Sequence, residues 1–414
     1  MEGHKWRTGF AAASVVKMAL RIFYAAGPGD VANTFRNWKD GRDDPSQVSM
    51  TYSGQFFDVC RALEAKALVM SHSARADHID DGQFTIVHRA KPFRNRGGVF
   101  YHLAELIYGL HVVAAAVRFR ADFAIVNEGV THWFVLSLLS LFRIKLVPAI
   151  HCVLWPKFKQ PNRAQRVFNR LNRIIFKRVS FAIMSASEDI SNQVREVAAG
   201  KARPIIEFLP TYRRDTFSEV GPPTGKSPFH VLFAGRIERN KGVFDLLDVA
   251  RRFKQESRDG IFFDACGTGS VLDDLKLEVK AAGVEDSFLC HGYCNRAEMQ
   301  AMLGRSHVVV VPTTSDFVEG FNQVVVEAVL ARRPVITSSV CPALSYVRDA
   351  IVEVAPDDRL GYGDAILKLF EDVEFFDKKR HACTEYQSQF YDLDRSWGAA
   401  LRRIIESANG EMRP

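Results

Sequence analysis

From residue 20 onward the apolar residues gather in short runs, separated by mixed stretches long enough for helices. In the second half the runs are FHVLFAG (229–235), IFFDAC (261–266), SFLCHG (287–292), HVVVVPT (307–313) and PVITSS (334–339). β-Branched and aromatic residues dominate them, and HVVVV is apolar at consecutive positions, as a strand covered on both faces must be. Segments at 243–255, 270–282, 296–304 and 322–331 fit helices between the runs. Strands alternating with such helices make βαβ units on a parallel sheet. Val324, Val325 and Val326 would also suit a strand, but Asn322 as an N-cap and Pro334 opening the next run assign this stretch to a helix.

The first half repeats the alternation less regularly. Strands are expected at 20–25, 66–70, 83–87, 122–126, 145–150, 180–184 and 204–208, and helices at 52–64, 98–118, 131–142, 163–178 and 187–198. At 414 residues the chain exceeds what one core usually fills. The polar, Gly- and Pro-bearing segment 213–228 divides it. The expectation is an α/β protein of two doubly wound Rossmann-like domains facing across a cleft. A first domain over 18–212 precedes the linker, a second covers 229–390, and a C-terminal helix within 391–414 packs back toward the first domain. Residues 1–17, with a basic start and a short apolar stretch interrupted at Lys17, read as a poorly ordered extension before a second possible start at Met18. In open α/β sheets ligands bind beyond the carboxyl ends of the strands, so chemistry belongs in the strand-to-helix loops.

Charge and cysteine usage narrow the function classes. A net charge of +7 favours an anionic partner without choosing among nucleic acid, membrane and phosphorylated small molecule. The basic residues are mostly dispersed and carry no RNA-recognition, zinc-finger or homeodomain signature, which argues against nucleic acid. Seven scattered cysteines suit a reducing compartment, with the cytoplasm as the default. Cys290 and Cys294 bracket His291, but no second ligand pair sits at zinc-finger spacing, so they read as packed thiols and no metal site is assigned. No run of about eighteen uninterrupted apolar residues occurs; the best candidate, from Trp133, is broken by Arg143, Lys145 and Pro148.

Two loops carry the candidate chemistry. In GRIERNKG, Gly235 ends a strand, Arg236 and Lys241 follow, and Gly242 precedes a helix. Two cations and the exposed amides of a helix N-terminus then converge, as a diphosphate requires. In EGFNQVVVE, Glu319 and Gly320 follow a strand and Glu327 lies within the next helix. A carboxylate accepts hydrogen bonds from sugar or ribose hydroxyls, and Gly320 permits close backbone approach. By themselves these residues also fit a solvated turn, a capping residue and a surface charge.

Taken in order, GRIERNKG (235–242), GTG (267–269), HGYC (291–294) and the E-x7-E element from Glu319 to Glu327 resemble glycosyltransferase family 4, the retaining enzymes of the GT-B fold. The resemblance covers most of residues 20–390. It implies that Arg236 and Lys241 hold the diphosphate of a UDP- or GDP-sugar and neutralise the leaving nucleoside diphosphate, with no metal required. It implies further that Glu327 bonds the ribose, that Glu319 and the amides around Gly320 and Phe321 hold the sugar, and that Tyr293 frames the base. The turn near Ser53 and Gly54 resembles the family's phosphate-facing Gly-rich turn. His151, ending KLVPAI, matches the histidine beside the donor sugar, although Cys152 follows where Asp is common and Asn322 replaces the Gly or Pro usual after EGF. The implied reaction passes through an oxocarbenium-like state by same-face attack, the leaving phosphate assisting deprotonation of the acceptor. Family habit points to a saccharide or lipid-linked acceptor in polysaccharide or glycolipid synthesis.

On the acceptor side, Arg163, Arg166, Arg170, Arg173 and Lys177 fall within an arc of roughly 80° at helical spacing, with Val167, Leu171, Ile174 and Ile175 on the adjacent face. Such a helix suits an anionic membrane surface, or equally a solvated face over the core. Two other activities stay open. GPG (27–29) and GTG (267–269) follow strands as in NAD-dependent oxidoreductases, but neither completes G-x-G-x-x-G. A GT-B enzyme can also isomerise its nucleotide sugar instead of transferring it.

Overall fold

A computed structural model of the chain describes residues 19–73, 76–93, 97–127, 132–223, 225 and 227–410; the expected extension at 1–17 lies outside them. The apolar runs pair side by side because their backbones are removed from water and need partners. In the first sheet β1 (Arg21–Gly27), β2 (Lys66–Ser71), β3 (His78–Asp80), β4 (Phe84–His88), β5 (Phe123–Asn127), β6 (Lys145–Ile150), β7 (Ile183–Ser185) and β8 (Ile205–Glu207) are ordered 3-4-2-1-5-6-7-8. All pairs are parallel except β3 with β4. The second sheet, wholly parallel, contains β9 (Phe229–Ala234), β10 (Ile261–Cys266), β11 (Phe288–Gly292), β12 (Val308–Val311), β13 (Val335–Ser338) and β14 (Ile351–Val354), ordered 11-10-9-12-13-14. Each sheet therefore has a switch point, at β1/β5 and β9/β12, where successive connections leave to opposite sides and open a crevice at the carboxyl ends.

Most expected elements occur, and the departures have local causes. The edge strand β3 is a polar tripeptide with no apolar run to mark it. Helix Val31–Lys39 is largely polar, and Asp30 caps it by accepting from the Asn33 amide at 2.9 Å. Beyond 339 the pattern does not mark β14, only four residues long, nor helices Arg359–Glu371 and Val373–Tyr386. Residues 133–142 wind as a 3-10 helix, and the basic helix is α only over Arg163–Ile174 before widening into a π turn at Ile175–Val179. That turn delays β7 to residue 183.

The C-terminal helix Trp397–Gly410 packs on helix Tyr52–Ala62, and Trp397, Leu401, Ile404 and Ile405 are buried in the first domain's core. The segment read as a linker is not free-standing: Phe217 and Val220, with Leu209 and Tyr212 just before it, are buried in a core beneath the second sheet. Its few apolar residues are too widely spaced to show a period, yet each finds a pocket on that sheet. Helix Val99–Phe119 is long and apolar enough to span a bilayer, although its buried row of Tyr108, Val112 and Ala116 belongs to the first core.

The domains touch by backbone as well as side chain. Cys152, just past β6, forms an isolated antiparallel bridge with Gly320, and the Val153 amide donates to the Glu319 carbonyl at 3.1 Å. Asp43 of the first domain reaches Arg296 on the second at 3.2 Å.

Candidate active site

The GRIERNKG loop leaves β9 at the switch point. Residues Arg239–Lys241 make one 3-10 turn, and Gly242, at φ +75°, ends that turn and starts helix Val243–Gln255. A Cβ at Gly242 would lie 2.0 Å from the Pro312 carbonyl oxygen, so the approach of this loop to the end of β12 demands glycine twice over, by conformation and by space. The approach delivers Lys241 to the EGF loop. Its Nζ donates to Glu319 Oε1 at 2.9 Å and to Oε2 at 2.7 Å. Thr313 Oγ1 donates to Oε2 at 2.8 Å, the Gly320 amide to Oε1 at 3.0 Å and Asn322 Nδ2 to Oε2 at 3.3 Å. Glu319 is 4% exposed, and four groups satisfy its carboxylate with five hydrogen bonds in a nearly dry site.

Arg236 is placed differently. It is exposed, and among the described residues no carboxylate lies within ion-pair distance of it. Its guanidinium carbon lies 5.6 Å from the centre of the Phe317 ring, and Lys241 Nζ lies 4.2 Å from the same ring. Both cations thus lie near one aromatic ring, on the loop that leads into helix Val243–Gln255.

Facing this arrangement is His151 at the end of β6. A Cβ at Gly320 would come within 2.9 Å of the His151 carbonyl oxygen, which explains why the residue beside Glu319 is glycine. The imidazole packs against Tyr52 (ring centres 4.6 Å apart) and Phe208 (5.3 Å). Burial depresses it to about 4, so it is neutral at physiological pH. Helix Gln323–Leu330 carries Glu327, 7% exposed. Burial pushes its carboxyl up to about 7, partly opposed by the Tyr212 hydroxyl, which donates to Oε1 at 3.3 Å.

The other expected site residues divide. Tyr293 is 60% exposed at the end of β11, on a loop joined to the GTG loop by the bond from the Gly267 amide to the Gly292 carbonyl. Gly235, at the end of β9, opens the turn at φ +154°, a conformation side-chain-bearing residues rarely adopt. The Phe321 side chain points away from the carboxylate, into the core beside Tyr346 and Phe390, leaving only its backbone for a ligand. Gly54 does not follow β1 directly: helix Val31–Lys39 intervenes, and the Gly54 amide is committed to the Thr51 hydroxyl that caps helix Tyr52–Ala62. The turn immediately after β1 is Gly27–Pro28–Gly29, and the Gly29 carbonyl accepts from Ser71. It is Tyr52 of the capped helix that reaches the second domain, its hydroxyl accepting from Gln323 Nε2 at 3.4 Å. Thr313 and Tyr212 escaped sequence reasoning altogether. Neither belongs to a local pattern, and each meets its carboxylate only through tertiary contact.

Residues 216–390 match the family described as Glycosyl transferases group 1. A D-inositol 3-phosphate glycosyltransferase of Arthrobacter sp. is 33% identical over 136 residues, 32% of this chain and 31% of that one. Glycogen synthase of Mycobacterium tuberculosis is 25% identical over 200 residues, 48% and 47% of the two chains. The chain thus spans a third to a half of the length of these curated relatives. Among solved structures, sucrose-phosphate synthase from Thermosynechococcus elongatus superposes with a TM-score of 0.72 at 14% identity, over 95% of this chain and 100% of that one. Anabaena HepE in complex with UDP and glucose gives 0.64 at 16%, over 94% and 100%. These likenesses establish the two-domain GT-B fold across the chain. The match to the group 1 glycosyltransferases falls within the C-terminal half, over residues 216–390.

Proposed function

We propose that this protein is a retaining glycosyltransferase moving a sugar from a UDP- or GDP-sugar to a saccharide or lipid-linked acceptor, in polysaccharide or glycolipid synthesis. The observation that carries the reading is the gathering of exposed Arg236 and of Lys241 over the Phe317 ring, next to a helix N-terminus and the Glu319 carboxylate. Departure of a nucleoside diphosphate leaves negative charge on the diphosphate and positive charge on the sugar. The two cations answer the first and Glu319 the second. In this reading they replace a divalent metal at the leaving group, so activity should survive chelation. Glu327 accepts from ribose hydroxyls, and neutral His151 offers the sugar a hydrogen-bonding edge without a competing charge.

The acceptor side supports a lipid-linked substrate at the cytoplasmic face of a membrane. On helix Arg163–Ile174 the row Val167, Leu171 and Ile174 is 55%, 45% and 44% exposed, so core packing does not account for it. Arg163, Arg166, Arg170 and Arg173 flank that row. An uncovered apolar stripe edged by cations matches an anionic lipid surface in both its chemistries.

A thermal-shift screen of the protein against UDP, GDP, ADP and NAD, repeated with Arg236→Ala, tests the donor assignment. One nucleoside diphosphate should stabilise the wild type and not the variant. Stabilisation by NAD alone, or by none of the four, would sink it.

A further inference from the structure

The hydrogen bonds around Glu319 leave no room for a sugar. An ionised carboxylate offers about four lone-pair positions. Here Oε1 accepts from Lys241 and the Gly320 amide, and Oε2 accepts from Lys241, Thr313 and Asn322. A sugar hydroxyl cannot donate to this group until a donor withdraws. Three of the five bonds are fixed by local geometry. The Gly320 amide is adjacent in the chain, Thr313 ends the neighbouring strand segment, and Asn322 is held at φ +67° at the start of helix Gln323–Leu330. The fourth partner, Lys241, ends in a flexible tetramethylene arm, contributes the other two bonds, one to each oxygen, and lies near the same ring as Arg236. Its withdrawal alone would free a position on both oxygens at once.

We infer that Lys241 exchanges partners during donor binding: resting on Glu319, it passes to the donor diphosphate, and Glu319 so released accepts the sugar hydroxyls. Thr313 and Asn322 are then positioning residues that hold the carboxylate in place while its counter-ion leaves. This inference rests on the donor reading above and extends it, because it ties sugar recognition to prior capture of the diphosphate. A diphosphate offers Lys241 more than one negative charge, with Arg236 as a second anchor, so Lys241 exchanges one ion pair for another while Glu319 keeps its hydrogen bonds from Thr313, Gly320 and Asn322. Breaking the Lys241–Glu319 pair is part of the cost of nucleotide binding, and removing the carboxylate's charge should remove that part.

The test is titration calorimetry of the full chain with UDP and with GDP. Glu319→Gln, in which Lys241 has lost its rival anion, should bind the preferred nucleoside diphosphate about three- to tenfold more tightly than wild type, while sugar transfer falls at least tenfold. On a Lys241→Ala background the same substitution should bring no gain, since the freed cation is absent. Glu319→Ala serves as a second variant should the amide disturb folding, with melting curves taken for each. Equal or weaker nucleotide binding by natively folded Glu319 variants, or a gain that persists without Lys241, would overturn the exchange while leaving the donor reading intact. A wild type that binds neither UDP nor GDP overturns both.

Discussion

Glu327→Gln replaces a buried carboxyl by a neutral isostere, and its effect should depend on pH in a defined direction. Burial raises the folded-state pKa of Glu327 from 4.5 to about 7. Below about 4.5 the group is protonated whether folded or unfolded and contributes nothing. Between 4.5 and 7 the unfolded chain has released the proton while the folded chain retains it, so folding stability falls as pH rises, and it levels off above 7. At about 1.4 kcal/mol per tenfold in proton affinity, the loss amounts to about 3 kcal/mol by pH 8, an upper bound given relaxation around the site. The glutamine variant lacks this dependence. Urea unfolding followed by circular dichroism at pH 4.5, 6 and 8 should show its stability relative to wild type increasing by up to about 3 kcal/mol across the range. Nucleotide affinity should move oppositely: ribose hydroxyls donating to the ionised group favour it, so binding by wild type should strengthen through pH 7 and binding by the variant should not. A stability difference that stays flat within about 0.5 kcal/mol would refute the claim that Glu327 is buried at such a cost.

Three further variants probe other parts of the reasoning. Gly242→Ala forces a Cβ to 2.0 Å from the Pro312 carbonyl at φ +75°, both contacts being backbone, and should cost more than about 3 kcal/mol, visible as insoluble protein or a collapsed melting temperature. Gly320→Ala meets the His151 carbonyl at 2.9 Å across the domain boundary, so each domain should fold normally while kcat/KM drops at least tenfold; unchanged kinetics would mean that the boundary tolerates the shift. Leu171→Ser combined with Val167→Ser should leave the melting temperature within a few degrees, because both side chains are exposed, and should cut co-sedimentation with vesicles containing phosphatidylserine severalfold.

What could be read before the structure depended on whether the relevant force is local. The strand at 145–150 and the helix at 243–255 occur with the bounds expected, because an uninterrupted apolar run and a capped amphipathic stretch are decided by their own residues. The tripeptide β3 exists only because β4 offers it an edge. In the site, the loops bearing Arg236, Lys241 and Glu319 were legible as breaks after strands. The bonds from Thr313 to Glu319 and from Tyr212 to Glu327 were not, since the second joins residues 115 positions apart. Periodicity showed the apolar row on the basic helix, but whether anything covers that row is a property of its surroundings. The Gly54 turn illustrates a related point: a small residue opening a helix marks a cap as readily as a phosphate site, and here the Thr51 hydroxyl accepts from the Gly54 amide.

The placement of the last helix bears on how the molecule is made. Trp397, Leu401, Ile404 and Ile405 complete the core of the domain that begins the chain, while the residues from 229 to 390 belong to the other one. As the nascent polypeptide leaves the ribosome, the first sheet emerges without the helix that covers it, and the second can close around its own strands sooner. The N-terminal domain therefore cannot complete its core until residues 397–405 have been made, and a premature stop before residue 397 would leave that core without the aromatic plug against Tyr24 and Tyr52.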